Sequence, residues 1–142
     1  MATLNIDALQ EEVIEEFSAF DDWMDKYQML IDLGNELPPL DAKYKVENNL
    51  IEGCQSRVWL QCDLVDGHLV FSADSDALIT KGIIALLIRV ISNHTPAEIV
   101  QADLHFIDAI GLKDHLSPTR SNGLLSMVKQ IKAYALGYAA KE

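Results

Sequence analysis

The sequence predicts an α+β domain in which a small antiparallel β-sheet packs against N- and C-terminal helices. Three observations predict this fold class. Apolar residues recur at helical spacing near both ends of the chain, and a central segment alternates with period 2 around an Asp-Gly pair. Strands and helices do not alternate as they do in doubly wound folds. With 142 residues, 49% of them apolar, the chain suits a single domain over residues 1–142.

The N-terminal third is predicted to form two helices. The first runs from about Ile6 to Phe20, with an apolar stripe at 3.6-residue spacing. Its glutamates lie largely off the stripe, which indicates a solvated acidic face or, alternatively, a docking surface for a basic partner. Asp21 or Asp22 can cap the second helix, and Gly34 is a natural stop for it.

The centre of the chain predicts a β-hairpin with strands 58–64 and 69–74. The Asp66-Gly67 pair is a strong signal for a two-residue turn. Folding there places Cys62 opposite Phe71 and aligns apolar residues on one face of both strands, so the register is consistent with the pattern. Residues 49–52 are the candidate for a third strand.

The second half of the chain predicts helices. Asp74-Ser75-Asp76 is expected to cap a long buried helix over 77–92, and Thr95 to Glu98 forms a capping box that opens a short one. A further short helix within 103–112 should stop at Gly111. Ser117-Pro118 opens the last helix, whose predicted inner face comprises Leu124, Leu125, Val128, Ile131, Ala135 and Leu136.

Charge and hydropathy exclude several classes of partner. The chain carries 11 Lys and Arg against 22 Asp and Glu, for a net charge of −11. Nucleic acids and anionic membranes recruit positively charged surfaces, so neither is an expected partner. No signal peptide is visible, and the most apolar stretch, 79–91, is too short to span a bilayer. We therefore expect a cytoplasmic protein.

The two cysteines differ in their sequence context. Cys62 lies on the apolar face of the hairpin and is predicted to be a small buried hydrophobe. Cys54 precedes the first strand in a loop, where a reactive thiol and an ordinary loop thiol are about equally expected from the residues alone. No metal-ligand spacing and no base for a cysteine hydrolase are evident, whereas accepting sulfur requires only a thiolate and docking. Backbone freedom, hydrogen bonds and positive charge near Cys54 would come from Gly53, Gln55, Ser56 and Arg57.

Several segments occur in the order and at the spacing of one known family. They are Asn-Leu-Ile-Glu-Gly-Cys-Gln-Ser-Arg-Val-Trp at 49–59, Asp-Ser-Asp at 74–76 with Ile-Thr-Lys-Gly at 79–82, Leu-Ser-Pro-Thr-Arg-Ser-Asn-Gly-Leu at 116–124, and Leu-Gly at 33–34 with Leu-Pro at 37–38. Together they resemble the SufE family of cysteine-desulfurase sulfur acceptors over nearly the whole chain. Ala73, Thr119 and Cys62 depart from the pattern and leave open the SufE branch or its close paralogue, CsdE.

The resemblance implies a fold like that of the U-type iron–sulfur scaffold proteins, with a three-stranded antiparallel sheet. It also implies that Cys54 takes sulfur from the persulfide of a pyridoxal-phosphate-dependent cysteine desulfurase of the SufS or CsdA type and stimulates that enzyme. The sulfur then passes to a downstream iron–sulfur scaffold. The chain itself would need no cofactor or metal, and self-association into a homodimer is compatible with the family.

Other residues have two interpretations. Arg120 either forms an ion pair with the acidic surface, or supports the Cys54 loop or its sulfur anion. Asp74 and Asp76 are expected to be helix caps, and the resemblance also puts them near a partner-docking surface with the residues that flank Cys54. We further expect the Cys54 loop to fold over an apolar pocket in the free protein. Two rival functions are an allosteric adaptor in which Cys54 is dispensable and a cluster scaffold, which would need more cysteines.

Overall fold

The computed structural model describes residues 5–51 and 56–140 and confirms the α+β class. The two strands form one antiparallel sheet, and helices occupy the regions before and after it. The elements are α1 (Ile6–Ser18), α2 (Trp23–Glu36), 3₁₀ turns at Ala42–Tyr44 and Glu47–Asn49, β1 (Val58–Val65), β2 (His68–Ser75), α3 (Leu78–Ile91), α4 (Pro96–Gln101), α5 (Phe106–Ala109), a 3₁₀ turn at Lys113–His115 and α6 (Pro118–Ala139).

The hairpin has the predicted register. Cys62 pairs with Phe71, and Val65 pairs with His68 across the turn. Asp66 and Gly67 both have positive φ, 52° and 81°, as a two-residue Asp-Gly turn requires. The shared face is buried along most of its length, but the tip is not, because Leu64 and Val65 are 47% and 50% exposed.

The expected third strand is reduced to an isolated bridge in the described part of the chain. Leu50 pairs with Trp59, and the amide of Ile51 donates a 2.9 Å hydrogen bond to the carbonyl of Val58. Position 52 of the predicted strand lies outside the described residues. Beyond this bridge, β1 has no second strand neighbour among residues 5–51 and 56–140. The other edge of the sheet is bonded at Leu69, which pairs with His94.

Helix α3 is the centre of the fold. Most of its residues are buried, as predicted, and it contacts α1, α2, α6 and β2. The expected helix stop at Gly34 is wrong, because α2 continues to Glu36. Gly34 instead lies against Gly82 of α3, and a Cβ built on Gly82 would be only 2.1 Å from the carbonyl oxygen of Leu30. The two glycines therefore allow α2 and α3 to approach closely.

Polar contacts fix α1 to the rest of the domain. Gln10 is fully buried, and its side chain accepts a 3.0 Å hydrogen bond from the amide of Phe106 and donates one of 3.0 Å to the carbonyl of Asp103. Glu16 pairs with Arg89 of α3, so one glutamate of the predicted solvated face has a protein partner.

Helix α6 begins where the sequence predicts and is rotated relative to the predicted face. Ser117 is its N-cap and Pro118 its first residue. Leu125 and Leu136 are 50% and 61% exposed, so their assignment to the inner face is wrong. The buried side of the helix consists of Gly123, Leu124, Met127, Ile131 and Ala135.

Candidate functional site

The two sides of the cysteine loop are anchored to the sheet and to the β2–α3 connection. Cys54 lies outside the described residues, as do Gly53 and Gln55. On the N-terminal side, Ile51 is bonded to Val58. On the C-terminal side, the amide of Arg57 donates to Oδ1 of Asp76 over 3.0 Å, and the amide of Asp76 donates to the carbonyl of Arg57 over 3.3 Å.

A cavity of about 300 Å³ lies beside the C-terminal side of this loop. Three segments meet there: Ser56 of the loop, the start of α3 and the start of α6. We call it the α3–α6 cavity. It is lined by Ser56, Ala77, Thr80, Ile83, Ser117, Thr119, Arg120, Gly123 and Met127.

Among the predicted site residues that the structure describes, Arg120 and Ser56 line the α3–α6 cavity. The amide of Arg120 donates a 3.3 Å hydrogen bond to Oγ of Ser117, which caps α6. The residue is exposed, and it forms no ion pair with any residue of 5–51 or 56–140. The predicted pairing of Arg120 with the acidic surface is therefore not found in this part of the chain, and the cavity brings Arg120 together with Ser56.

The prediction that Asp74 and Asp76 cap α3 is wrong. The N-cap is Ala77, which provides no side-chain hydrogen bond. The carboxylate of Asp76 accepts a hydrogen bond from the amide of Arg57. Asp74 forms ion pairs with Lys45 at 3.0 Å and with Lys81 at 3.3 Å. Both aspartates thus join segments distant in sequence instead of satisfying the end of the helix.

The charge of Asp74 is stabilised by its surroundings. Burial alone would raise the pKa of this carboxyl, but hydrogen bonds from Lys45, the amide of Ser75 and Lys81 hold the pKa below its usual value. Lys45 also lies 5.6 Å from the centre of the Trp59 ring. The ion pair between Lys45 and Asp74 therefore holds the segment before the cysteine loop against the outer face of the hairpin.

Cys62 has the properties of a structural thiol. It is 7% exposed, and burial, together with the neighbouring charge of Asp63, raises its pKa to about 12. A thiol with this pKa is almost entirely protonated at neutral pH, so the prediction of a buried hydrophobe is confirmed.

Sequence reasoning did not single out most of the residues that line the α3–α6 cavity. Thr80, Ser117 and Met127 come from separate segments and have no shared spacing in the sequence. The available signal was that Thr80 lies in the Ile-Thr-Lys-Gly segment and Ser117 in the Leu-Ser-Pro-Thr-Arg segment.

The described residues contain neither a metal-ligand group nor a membrane-spanning helix. Within 5–51 and 56–140, no three or more His, Cys, Asp or Glu side chains group in a way that could hold a metal ion. None of the helices in this part of the chain has both the length and the apolar character required to cross a bilayer.

Comparisons with known proteins identify the family. The SufE family model, described as an Fe-S metabolism associated domain, matches residues 11–135. An uncharacterized SufE-like protein of Rhizobium meliloti (strain 1021) is 37% identical, and the match covers 89% of this chain and 94% of that protein. The solution structure of a hypothetical protein from Thermus thermophilus has a similar fold, with a TM-score of 0.77 and 18% identity over 93% of this chain and 96% of that one. The chain therefore belongs to the SufE family, and its function lies in iron–sulfur metabolism.

Proposed function

We propose that this protein is a cytoplasmic sulfur acceptor with Cys54 as the carrier. Cys54 takes sulfur from the persulfide of a pyridoxal-phosphate-dependent cysteine desulfurase, stimulates that enzyme and delivers the sulfur to an iron–sulfur scaffold. Membership of the SufE family supports the donor and the pathway. The compartment is consistent with a mechanism that needs a free thiol, since cytoplasmic thiols are kept reduced.

The transfer is a thiol–disulfide type exchange that needs no external oxidant. The Cys54 thiolate attacks the outer sulfur of the donor persulfide, and a new S–S bond forms between them. The bond from that sulfur to the donor cysteine breaks, and the donor cysteine leaves as a thiolate. Cys54 then carries the persulfide and its proton, so atoms and electrons balance without a cofactor in this chain.

The observation that carries the proposal is the anchored loop beside a cavity. Ser56, two residues after Cys54, lines the α3–α6 cavity together with Arg120, and Arg57 is bonded to Asp76. An apolar floor that includes Ile83 and Met127 offers shelter from solvent thiols. We propose that Arg120 supports transfer from this cavity, and that the loop flanks with Asp76 and Asp74 lie near the docking surface of the desulfurase.

The second thiol supports the choice of carrier. Cys62 is buried, and its pKa of about 12 leaves little thiolate for attack at neutral pH. Loading at Cys62 would also require its side chain, which is only 7% exposed, to become accessible to the donor. Cys62 is thus a poor candidate for the carrier, and Cys62→Ala is the matched control for Cys54→Ser.

The test is intact-mass analysis after incubation with the desulfurase, pyridoxal phosphate and cysteine, followed by peptide mapping of the added sulfur. We expect one sulfur on the peptide that contains Cys54 in the wild type and in Cys62→Ala, and none in Cys54→Ser. Desulfurase turnover should rise with the wild type and not with Cys54→Ser. Full stimulation by Cys54→Ser would overturn the proposal in favour of an allosteric adaptor.

A further inference from the structure

We propose that the outward side of α2 is a docking surface for a basic partner protein other than the sulfur donor. Its centre is a depression of about 320 Å³, which we call the α1–α2 groove. The groove shares no lining residue with the α3–α6 cavity, so this inference does not depend on the proposed sulfur transfer. It is lined by one residue of the connection between α1 and α2 and by four residues of α2, namely Phe20, Asp25, Gln28, Met29 and Asp32.

The net charge of the chain is concentrated on the segment that forms this groove. Residues 1–36, which we call the acidic segment, contain ten Asp and Glu and a single lysine, a net charge of −9. Residues 37–142 contain twelve Asp and Glu and ten Lys and Arg, a net charge of −2. In the fold, the acidic segment provides α1, α2 and their connection. A surface with one sign of charge attracts oppositely charged proteins and accelerates their association.

The fold makes little use of the carboxylates in the groove. Asp25 and Asp32 form no ion pair within the part of the chain that the structure describes, and Asp32 accepts one 3.0 Å hydrogen bond from the side chain of Gln28. Lys26 is the single cation of the acidic segment, and its ammonium lies 4.9 Å from the centre of the Trp23 ring. Carboxylates that their own chain does not neutralise repel each other, and a basic partner would relieve this repulsion.

Helix α2 presents the groove to solvent. On the side of α2 that packs against α3, Leu30 and Gly34 are buried. Asp25, Gln28 and Asp32 are exposed and follow one another at spacings of three and four residues, which places them in one row on the opposite side of the helix. A partner therefore reaches this row without any rearrangement of the fold.

Apolar side chains on both sides of the row give a partner more than charge to bind. The helical repeat places Met24 and Met29 on the two flanks of the row. Met24 is 73% exposed, more than any other large apolar side chain in the described part of the chain, and Met29 is only partly buried. Methionine side chains are flexible and polarizable and suit surfaces that bind other proteins. We therefore expect the partner to carry an apolar anchor.

The spacing of the two carboxylates defines the partner more closely. Asp25 and Asp32 are seven residues apart, which is about 10 Å along an α-helix. A helix with Lys or Arg seven residues apart and apolar side chains between them matches both the charges and the flanking methionines. A basic amphipathic segment of this kind is the class of ligand that we assign to the groove.

A synthetic peptide of this design is the probe. It is an alanine-based helix of about 15 residues with lysines at positions i and i+7 and leucines at i+3 and i+4. Its binding to the full chain is measured by fluorescence anisotropy without desulfurase. We expect saturable one-to-one binding, with amide NMR shifts centred on residues 20–32. Replacing both leucines of the peptide with serine should weaken binding about tenfold, and raising the salt concentration from about 0.05 M to about 0.5 M should also weaken it.

Paired variants distinguish the groove from negative charge in general. Asp25→Asn combined with Asp32→Asn should weaken binding of the peptide about tenfold. Asp63→Asn combined with Asp66→Asn removes the same charge from the tip of the hairpin and should leave the affinity unchanged. All four positions are exposed, so both double variants are expected to fold. Absence of saturable binding, equal losses in the two double variants, or equal affinity for the leucine and serine peptides would overturn the proposal.

Two further measurements test which protein occupies the groove. The double variant Asp25→Asn, Asp32→Asn should stimulate the desulfurase as the wild type does, and loss of stimulation would assign the groove to the sulfur donor and overturn the proposal. Sedimentation of the wild type should show no self-association that this variant abolishes, since such self-association would assign the groove to a second copy. Peptide binding with no sulfur on Cys54 would refute the proposed function alone, whereas normal sulfur loading with no peptide binding would refute the groove alone.

Discussion

Replacing Gly82 with alanine should separate two helices that touch through their backbones. A Cβ at this position would lie 2.1 Å from the carbonyl oxygen of Leu30 and 2.6 Å from its carbonyl carbon. No side-chain rotation can relieve this clash, because both atoms belong to the backbone of α2. The helices must therefore move apart by about 1 Å or more to reach a normal contact, and side chains between them lose dispersion contacts.

The expected magnitude is a net loss of about 2 kcal/mol in the free energy of unfolding. Overpacking destabilises a protein by about 1–3 kcal/mol, and the clash with backbone atoms puts Gly82→Ala at the upper end of that range. The better helix propensity of alanine offsets up to about 1 kcal/mol of this loss. Gly137 is the matched control, since it is an exposed glycine inside α6 whose added Cβ would meet nothing within 4 Å. Gly137→Ala should raise the free energy of unfolding by about 0.5–1 kcal/mol.

Urea unfolding followed by tryptophan fluorescence and circular dichroism measures both effects. With a urea dependence of about 1–3 kcal/mol per molar, the midpoint of Gly82→Ala should fall by about 1 M and that of Gly137→Ala should rise. A midpoint for Gly82→Ala at or above that of the wild type would refute the close-packing argument. So would shifts of both variants in the same direction.

Three further predictions concern buried polar groups. Asp74→Asn should destabilise the protein by about 1–3 kcal/mol at pH 7. Because folding lowers the pKa of Asp74, its contribution to stability is present above the unfolded-state pKa and is lost as the pH falls through the folded-state pKa. The unfolding curves of wild type and variant should therefore converge in acid, and divergence there would contradict the assignment. When Cys54→Ser is treated with an alkylating reagent at pH 8, mass spectrometry should find Cys62 unmodified in the native state and alkylated in urea, since the pKa of Cys62 is about 12. Rapid labelling of the native protein would contradict this prediction, because it would show an accessible thiolate. Gln10→Ala leaves the buried amide of Phe106 without its acceptor and should lower stability by about 1–3 kcal/mol in thermal unfolding, whereas no change would mean that solvent replaces the glutamine.

Local patterns predicted the parts of the fold whose interactions are local. The hairpin register follows from period-2 alternation and from the positive φ angles that Asp66 and Gly67 must adopt. Ser117 and Thr95 start helices because their side chains bond to amides three residues ahead. In each case both partners of the decisive interaction lie within a few residues of each other.

Predictions failed where a distant segment determines the outcome. Gly34 has the residue type of a helix stop, but its role is to let α3 approach, and the sequence does not show that Gly82 lies opposite. Asp74 and Asp76 have the residue type of caps, yet their carboxylates are taken by groups on other segments. The α3–α6 cavity was likewise hidden, because Thr80 and the start of α6 meet only in the folded chain.

The incompletely paired edge of β1 bears on how copies of this protein behave at high concentration. Beyond the bridge at Trp59, that edge runs unpaired within the described residues to the exposed apolar tip at Leu64 and Val65. Unpaired edges with apolar side chains are templates for intermolecular strand addition and fibril growth. Asp63 and Asp66 are exposed at the same tip, so two hairpins brought edge to edge would repel each other, which protects this edge against aggregation.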